Sequence, residues 1–126
     1  MEHQLSPGLT ASVALTVSGA DTAVALGSGD VPVLGTPRVV ALVEEATVAA
    51  VAKALEPGQS TVGVRIELDH LSATPVGRAV TAQATLTAVE GRKLTFDVVL
   101  LDGETVAAKG TVHRVAVDRQ RFLERL

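Results

Sequence analysis

Apolar and polar residues alternate along most of this chain, and one long segment breaks the alternation. From Leu9 to Val17 the odd positions are Leu9, Ala11, Val13, Leu15 and Val17, with mostly Thr and Ser between them. Strand side chains repeat every two residues, so this pattern predicts a half-buried strand. The same period runs from Thr61 to His70, assigning Val62, Val64, Ile66 and Leu68 to one face and Gly63, Arg65, Glu67 and Asp69 to the other. His70 falls on the apolar face. Three further strands are predicted in Gly77–Val89, Arg92–Leu101 and Glu104–Val117, with Glu90-Gly91 and Asp102-Gly103 as tight turns between them.

The exception to the alternation lies between the first two strands. A glycine-bearing loop, Ser18 to Asp30, precedes a segment from Pro37 to about Leu55 that is dense in Val, Leu and Ala. Thr36 suits a helix N-cap and Pro37 the first turn, while Pro57-Gly58 stops the helix. A helix apolar nearly all round is expected to be buried. The last residues, Asp118 to Leu126, predict a short helix with Phe122 and Leu126 on one side. One greasy helix and a one-faced antiparallel sheet bury each other most economically when the sheet wraps the helix. The expectation is an α+β hot-dog fold, five antiparallel strands around one long helix, as a single domain over residues 1–126.

Composition narrows the picture further. With two Phe, no Trp and no Tyr in 126 residues, the core must be aliphatic. Each buried Val or Leu stabilises by roughly 1.5–3 kcal/mol, so many are needed, and small domains of this kind often bury more surface by forming oligomers. Eleven basic residues are scattered through a chain of net charge −3, which disfavours a nucleic-acid surface. There is no cysteine, no signal-peptide pattern at the start and no continuous apolar run long enough to span a bilayer. A soluble cytoplasmic protein is expected.

Few residues are then left to carry chemistry. His70 is a titratable ring on an apolar face, where it needs either a backbone partner or a function; Asp69 points the other way and is poorly placed to orient it. Glu44 and Glu45 interrupt the greasy helix. Glu44 is flanked at helical spacing by Val40, Val48 and Val51 and reads as the more buried, whereas Glu45 reads as solvated or paired with Lys53. Thr36 caps the helix or presents a hydroxyl beside its free N–H groups, and the two roles are compatible. Eight residues separate Thr36 from Glu44, about 12 Å along a helix axis, so a substrate between them is more plausible than direct contact. Arg114 shares parity with Val112 and Ala116 and is a candidate inward residue, but Val115 and Val117 alternate with it and a solvated strand arginine is the default reading. His3 and His113 have no comparable setting, no spacing reads as a metal site, and Gly27-Ser28-Gly29 lacks the features of a phosphate loop.

Several of these residues recur in a known pattern. Val33-Leu34-Gly35-Thr36-Pro37-Arg38 through Glu44, then Leu55-Glu56-Pro57-Gly58, Thr61-Val62-Gly63, Asp69-His70-Leu71-Ser72-Ala73-Thr74-Pro75-Val76-Gly77, Val89-Glu90-Gly91-Arg92 and Gly110-Thr111 to Arg114 resemble the fluoroacetyl-CoA thioesterase family of hot-dog proteins. The resemblance covers roughly Leu5 to Val117. It implies an acyl-CoA thioesterase with Thr36, Glu44 and His70 as its catalytic set, Gly63 near the thioester carbonyl and Arg114 near the site. With an acyl-CoA as substrate, the expected assembly is a homodimer or a higher oligomer, and no cofactor, metal, nucleic acid or membrane partner is expected. The family's fluoroacetate-resistance member has lid phenylalanines that favour the fluorinated acyl group. The matching stretch here, Gly27-Ser28-Gly29-Asp30, has none, which points to a broader or different acyl range. Two other functions suit the same scaffold: hydration or dehydration of an enoyl-CoA, and non-catalytic binding of acyl-CoA.

Overall fold

The computed structural model describes residues 4–126, so His3 lies outside the described residues. Five strands are present: β1 (Thr10–Thr16), β2 (Gln59–His70), β3 (Ala79–Glu90), β4 (Lys93–Asp102) and β5 (Thr105–Asp118). Between β1 and β2 lie a short helix α1 (Ala23–Leu26) and the long helix α2 (Thr36–Val51), and α3 (Arg119–Glu124) closes the chain. The sheet order is β1-β3-β4-β5-β2, with every neighbouring pair antiparallel. The expected hot-dog arrangement is therefore present. The chain leaves one edge of the sheet at β1, crosses its concave face as α2 and rejoins at the opposite edge as β2.

The core forms where α2 meets the sheet. Val39, Leu42, Val43, Ala46 and Ala50 of α2 face Val80, Ala82, Ala84, Leu86, Leu94, Phe96, Val98 and Leu100, all buried. Small Ala side chains on β3 let the helix approach closely, and Phe96 supplies bulk that no other described aromatic residue brings to the core. The alternation along β3, β4 and β5 is thus borne out.

Three expectations are corrected. The helix is not buried all round: Ala41, Glu45, Val48 and Ala49 are exposed, with Val48 at 46%. Helix α2 packs mainly on β1 and β3, so the face turned toward β2 remains open. Thr36 is not the N-cap; Gly35 occupies that position, and Thr36 is the first helical residue. Finally, the period of β2 is interrupted. The pairing with β5 shifts between Gly63 and Arg65, leaving Val64 as an extra, unpaired residue that is 60% exposed. A bulge of one residue reverses which side chains face the helix. Ile66, Leu68 and His70 keep the inward face, but before the bulge it is Thr61 and Gly63 that point inward, in place of Val62 and Val64.

Candidate active site

His70 ends β2, and the two backbone N–H groups that follow it, those of Leu71 and Ser72, both donate to Ala107 O at 2.7 and 3.1 Å. That double anchor fixes the point where the chain turns off the sheet. The ring is half-buried at the margin of the core, and its Nδ1 lies 2.7 Å from the Thr36 hydroxyl. Because Gly35 caps the helix with backbone alone, the Thr36 side chain is released from capping and serves the histidine. For Nδ1 to accept the hydroxyl proton, the ring must carry its own proton on Nε2. Nε2 is buried and without a partner among the described residues. Buried polar atoms are normally paired, and Nε2 is one of two side-chain exceptions among the described residues, the other being Thr74 Oγ1. A shallow cleft of about 200 Å³, lined by Val33, His70, Leu71, Ser72 and Ala73, opens there.

The position of Thr36 is set by the loop before it. Gly35 N–H donates to Asp21 O at 2.9 Å, and a Cβ on Gly35 would come within 3.0 Å of the Ala23 backbone. The Asp21 carboxylate accepts from Ser18 N–H at 2.8 Å, from Ser18 Oγ at 2.9 Å and from Arg38 Nε at 3.0 Å. The Ser18 backbone bond, more than Arg38, holds the Asp21 carboxyl below its ordinary value. One buried carboxylate thus ties the loop to the first turn of α2. Sequence reading passed over Asp21 and Arg38, although an acid in a glycine-rich loop upstream of a helix-start arginine was visible.

Glu44 sits in a second cluster. Its Oε2 accepts from Arg114 Nη1 at 3.2 Å, and its side chain is one-third exposed, while Glu45 is solvated as expected. Arg114 is 7% exposed, so the inward candidate from parity holds and the solvated default does not. Burial lowers the Arg114 pKa, and the facing carboxylate partly offsets that. Its Nε donates to Thr61 Oγ1 at 2.9 Å and its Nη2 to Thr61 O at 3.1 Å. Gly63 lies opposite Arg114 across the two strands, and a Cβ there would overlap Glu44 Oε2 and lie 3.3 Å from Arg114 Nη1.

The fold therefore brings the five anticipated residues into two groups, Thr36 with His70 and Glu44 with Gly63 and Arg114. Helical rise separates Thr36 from Glu44 by about 12 Å within one protomer, and Glu44 has no bond to either member of the first pair. From Thr61 a groove of about 390 Å³ continues past Val48, Ala52 and Leu55 to Arg119. Among the described residues no cluster of three His, Asp or Glu side chains is arranged to hold a metal ion, and no helix is long and apolar enough to cross a membrane.

Comparison with known proteins supplies a chemical context for this geometry. Residues 17–120 match the family described as fluoroacetyl-CoA-specific thioesterase. The fluoroacetyl-CoA thioesterase of Streptantibioticus cattleyicolor is 40% identical over 90 residues, which span 71% of this chain and 65% of that protein's length. Among solved structures, a variant of the fluoroacetyl-CoA-specific thioesterase in complex with fluoroacetate and CoA superposes with a TM-score of 0.86 at 32% identity, covering 94% of this chain and 99% of that one. A hot-dog-like protein from Thermanaerovibrio acidaminovorans gives a TM-score of 0.87 at 26% identity, covering 94% and 88%.

Proposed function

This chain belongs to the fluoroacetyl-CoA-specific thioesterase family, and from that membership we propose that it hydrolyses a small acyl-CoA thioester to a free acid and CoA. The observation that carries the reading is the 2.7 Å bond between Thr36 Oγ1 and His70 Nδ1, beside a cleft and next to an unpaired Nε2. In this reading Thr36 Oγ attacks the thioester carbonyl carbon as its proton passes to His70. The carbon–sulfur bond then breaks, and CoA leaves with the proton that His70 took up. Water hydrolyses the resulting threonyl ester: its oxygen bonds to the acyl carbon as one of its protons passes to the Glu44 carboxylate. The bond from the acyl carbon to Thr36 Oγ breaks to release the acid, and the proton held by Glu44 is returned to Thr36 Oγ. The backbone N–H of Thr36, at the start of α2 and without an intrahelical acceptor, suits the developing oxyanion. CoA enters as substrate, and the residues require no further cofactor. The proposed location is the cytoplasm, where a charged acyl-CoA that does not cross membranes freely would be met.

The catalytic unit is proposed to be a homodimer. Edge strand β2 has twelve residues and one free side, and the open face of α2 carries Ala41, Val48 and Ala49 next to it. A second copy joined at this edge would cover that face and bring its own Glu44 cluster toward the Thr36–His70 pair. The 12 Å gap within one protomer is then no obstacle. The acyl group is proposed to be small and aliphatic rather than specifically fluoroacetyl. The cleft at His70 is small, and both phenylalanines lie elsewhere, Phe96 in the core and Phe122 on α3.

Thiol release measured across acyl-CoA chain lengths tests the reading, with Thr36→Val, Glu44→Gln and His70→Ala as controls. The expected outcome is turnover with a short acyl chain, a burst of CoA consistent with an acyl-enzyme, and a loss of about 100-fold or more in each variant. Water addition to an enoyl-CoA without thiol release would instead identify a hydratase. Binding without turnover would identify a carrier.

A further inference from the structure

Arg114 is a cation enclosed by a sheet interior, flanked on its own strand by the buried Val112 and Ala116. Such a group is stable only where its donors are used, and the three guanidinium nitrogens find two partners. Glu44 takes Nη1 at 3.2 Å, while a single residue, Thr61, takes both others, Nε through its hydroxyl at 2.9 Å and Nη2 through its carbonyl at 3.1 Å. A guanidinium is a planar, rigid fork, so two bonds along one edge fix both its plane and its rotation. The longer bond to Glu44 then projects in a set direction. Thr61 has no hydrogen bond to Glu44 itself. Thr61 faces inward because the bulge at Val64 reverses the parity of β2, and its partner across the strands, Ala116, stands two residues from Arg114.

We infer that Thr61 is a positioning residue, orienting Arg114 so that Arg114 in turn holds the Glu44 carboxylate toward the substrate. The inference rests on the proposed role of Glu44 and adds a residue to it. Thr61 shapes a carboxylate to which it makes no hydrogen bond. Because β2 is held to β5 by backbone pairing along its length, the orientation of Glu44 is referred to the sheet as well as to α2, whose own face is open there.

Thr61→Val keeps the β-branched shape and removes the hydroxyl acceptor, while Thr61→Ser keeps the hydroxyl. In the dimeric protein with a cleavable acyl-CoA, Thr61→Val is expected to lower kcat by about tenfold and change KM by less than about twofold. Thr61→Ser is expected to restore most of kcat. In a Glu44→Gln background the Val substitution should cost nothing further, because a residue acting through Glu44 has no target there. A purely structural role predicts the same loss in both backgrounds. The inference is overturned if Thr61→Val keeps wild-type kcat, if the serine variant fails to recover it, or if the losses multiply in the Glu44→Gln background. Full turnover by Glu44→Gln alone would remove the Glu44 role first and this inference with it, so the two failures are told apart.

Discussion

Gly63 shows how much a single missing methyl group can decide. Its backbone is not in a left-handed conformation, so an alanine meets no torsional objection. The objection is space: a Cβ would overlap the Glu44 carboxylate and press on Arg114 Nη1 at 3.3 Å. A carboxylate on a side chain one-third exposed yields by rotating away, at little cost to folding but at the expense of the Arg114 bond. Gly63→Ala is therefore expected to fold with a melting temperature near that of the wild type and to lose about tenfold or more in kcat/KM, read by thiol release alongside circular dichroism. Unfolding at room temperature would show that the glycine serves the strand instead.

At the level of elements, the loop before α2 is held by the Asp21 carboxylate and its three donors. Asp21 is depressed below its ordinary 3.8 by the Ser18 N–H first and by Ser18 Oγ and Arg38 after it. A carboxyl lowered in the folded state stabilises fully above its unfolded value and ceases to do so as pH falls through the folded value. The latch is thus complete at neutral pH and fails only in acid. Asp21→Asn should cost about 1–2 kcal/mol at pH 7, and the difference from wild type should shrink below about pH 4. Thermal melts of both proteins between pH 3 and 8 check this. A gap that widens in acid would contradict it. Because the same latch sets Gly35 and Thr36, the variant should also turn over more slowly at pH 7.

For the whole molecule, the proposed dimer has a consequence that a monomeric site lacks. If Thr36 and His70 act with the Glu44 of the other protomer, inactive His70→Ala and Glu44→Gln proteins should complement when they are unfolded together and refolded as a mixture. Half the dimers are then mixed and each holds one intact site, so about a quarter of wild-type turnover should return. No recovery would mean that each site draws on one protomer alone. What the sequence determined by itself is everything that rests on local pattern. Period-two burial specified five strands, and the segment dense in Val, Leu and Ala between Pro37 and Pro57 specified the helix. Parity alone turned Asp69 outward and made Arg114 a candidate for the interior, because burial repeats with the geometry of the element itself. Tertiary structure decided the rest. The bulge at Val64 arises in pairing with β5 and leaves no mark on the alternation of β2, so the inward facing of Thr61 and Gly63 was illegible. The release of Thr36 from capping depends on a histidine 34 positions away, and the grip on Arg114 on a threonine 53 positions away. Such contacts are set by register between distant segments, where a shift of one residue exchanges the two faces of a strand, and no local period carries that information.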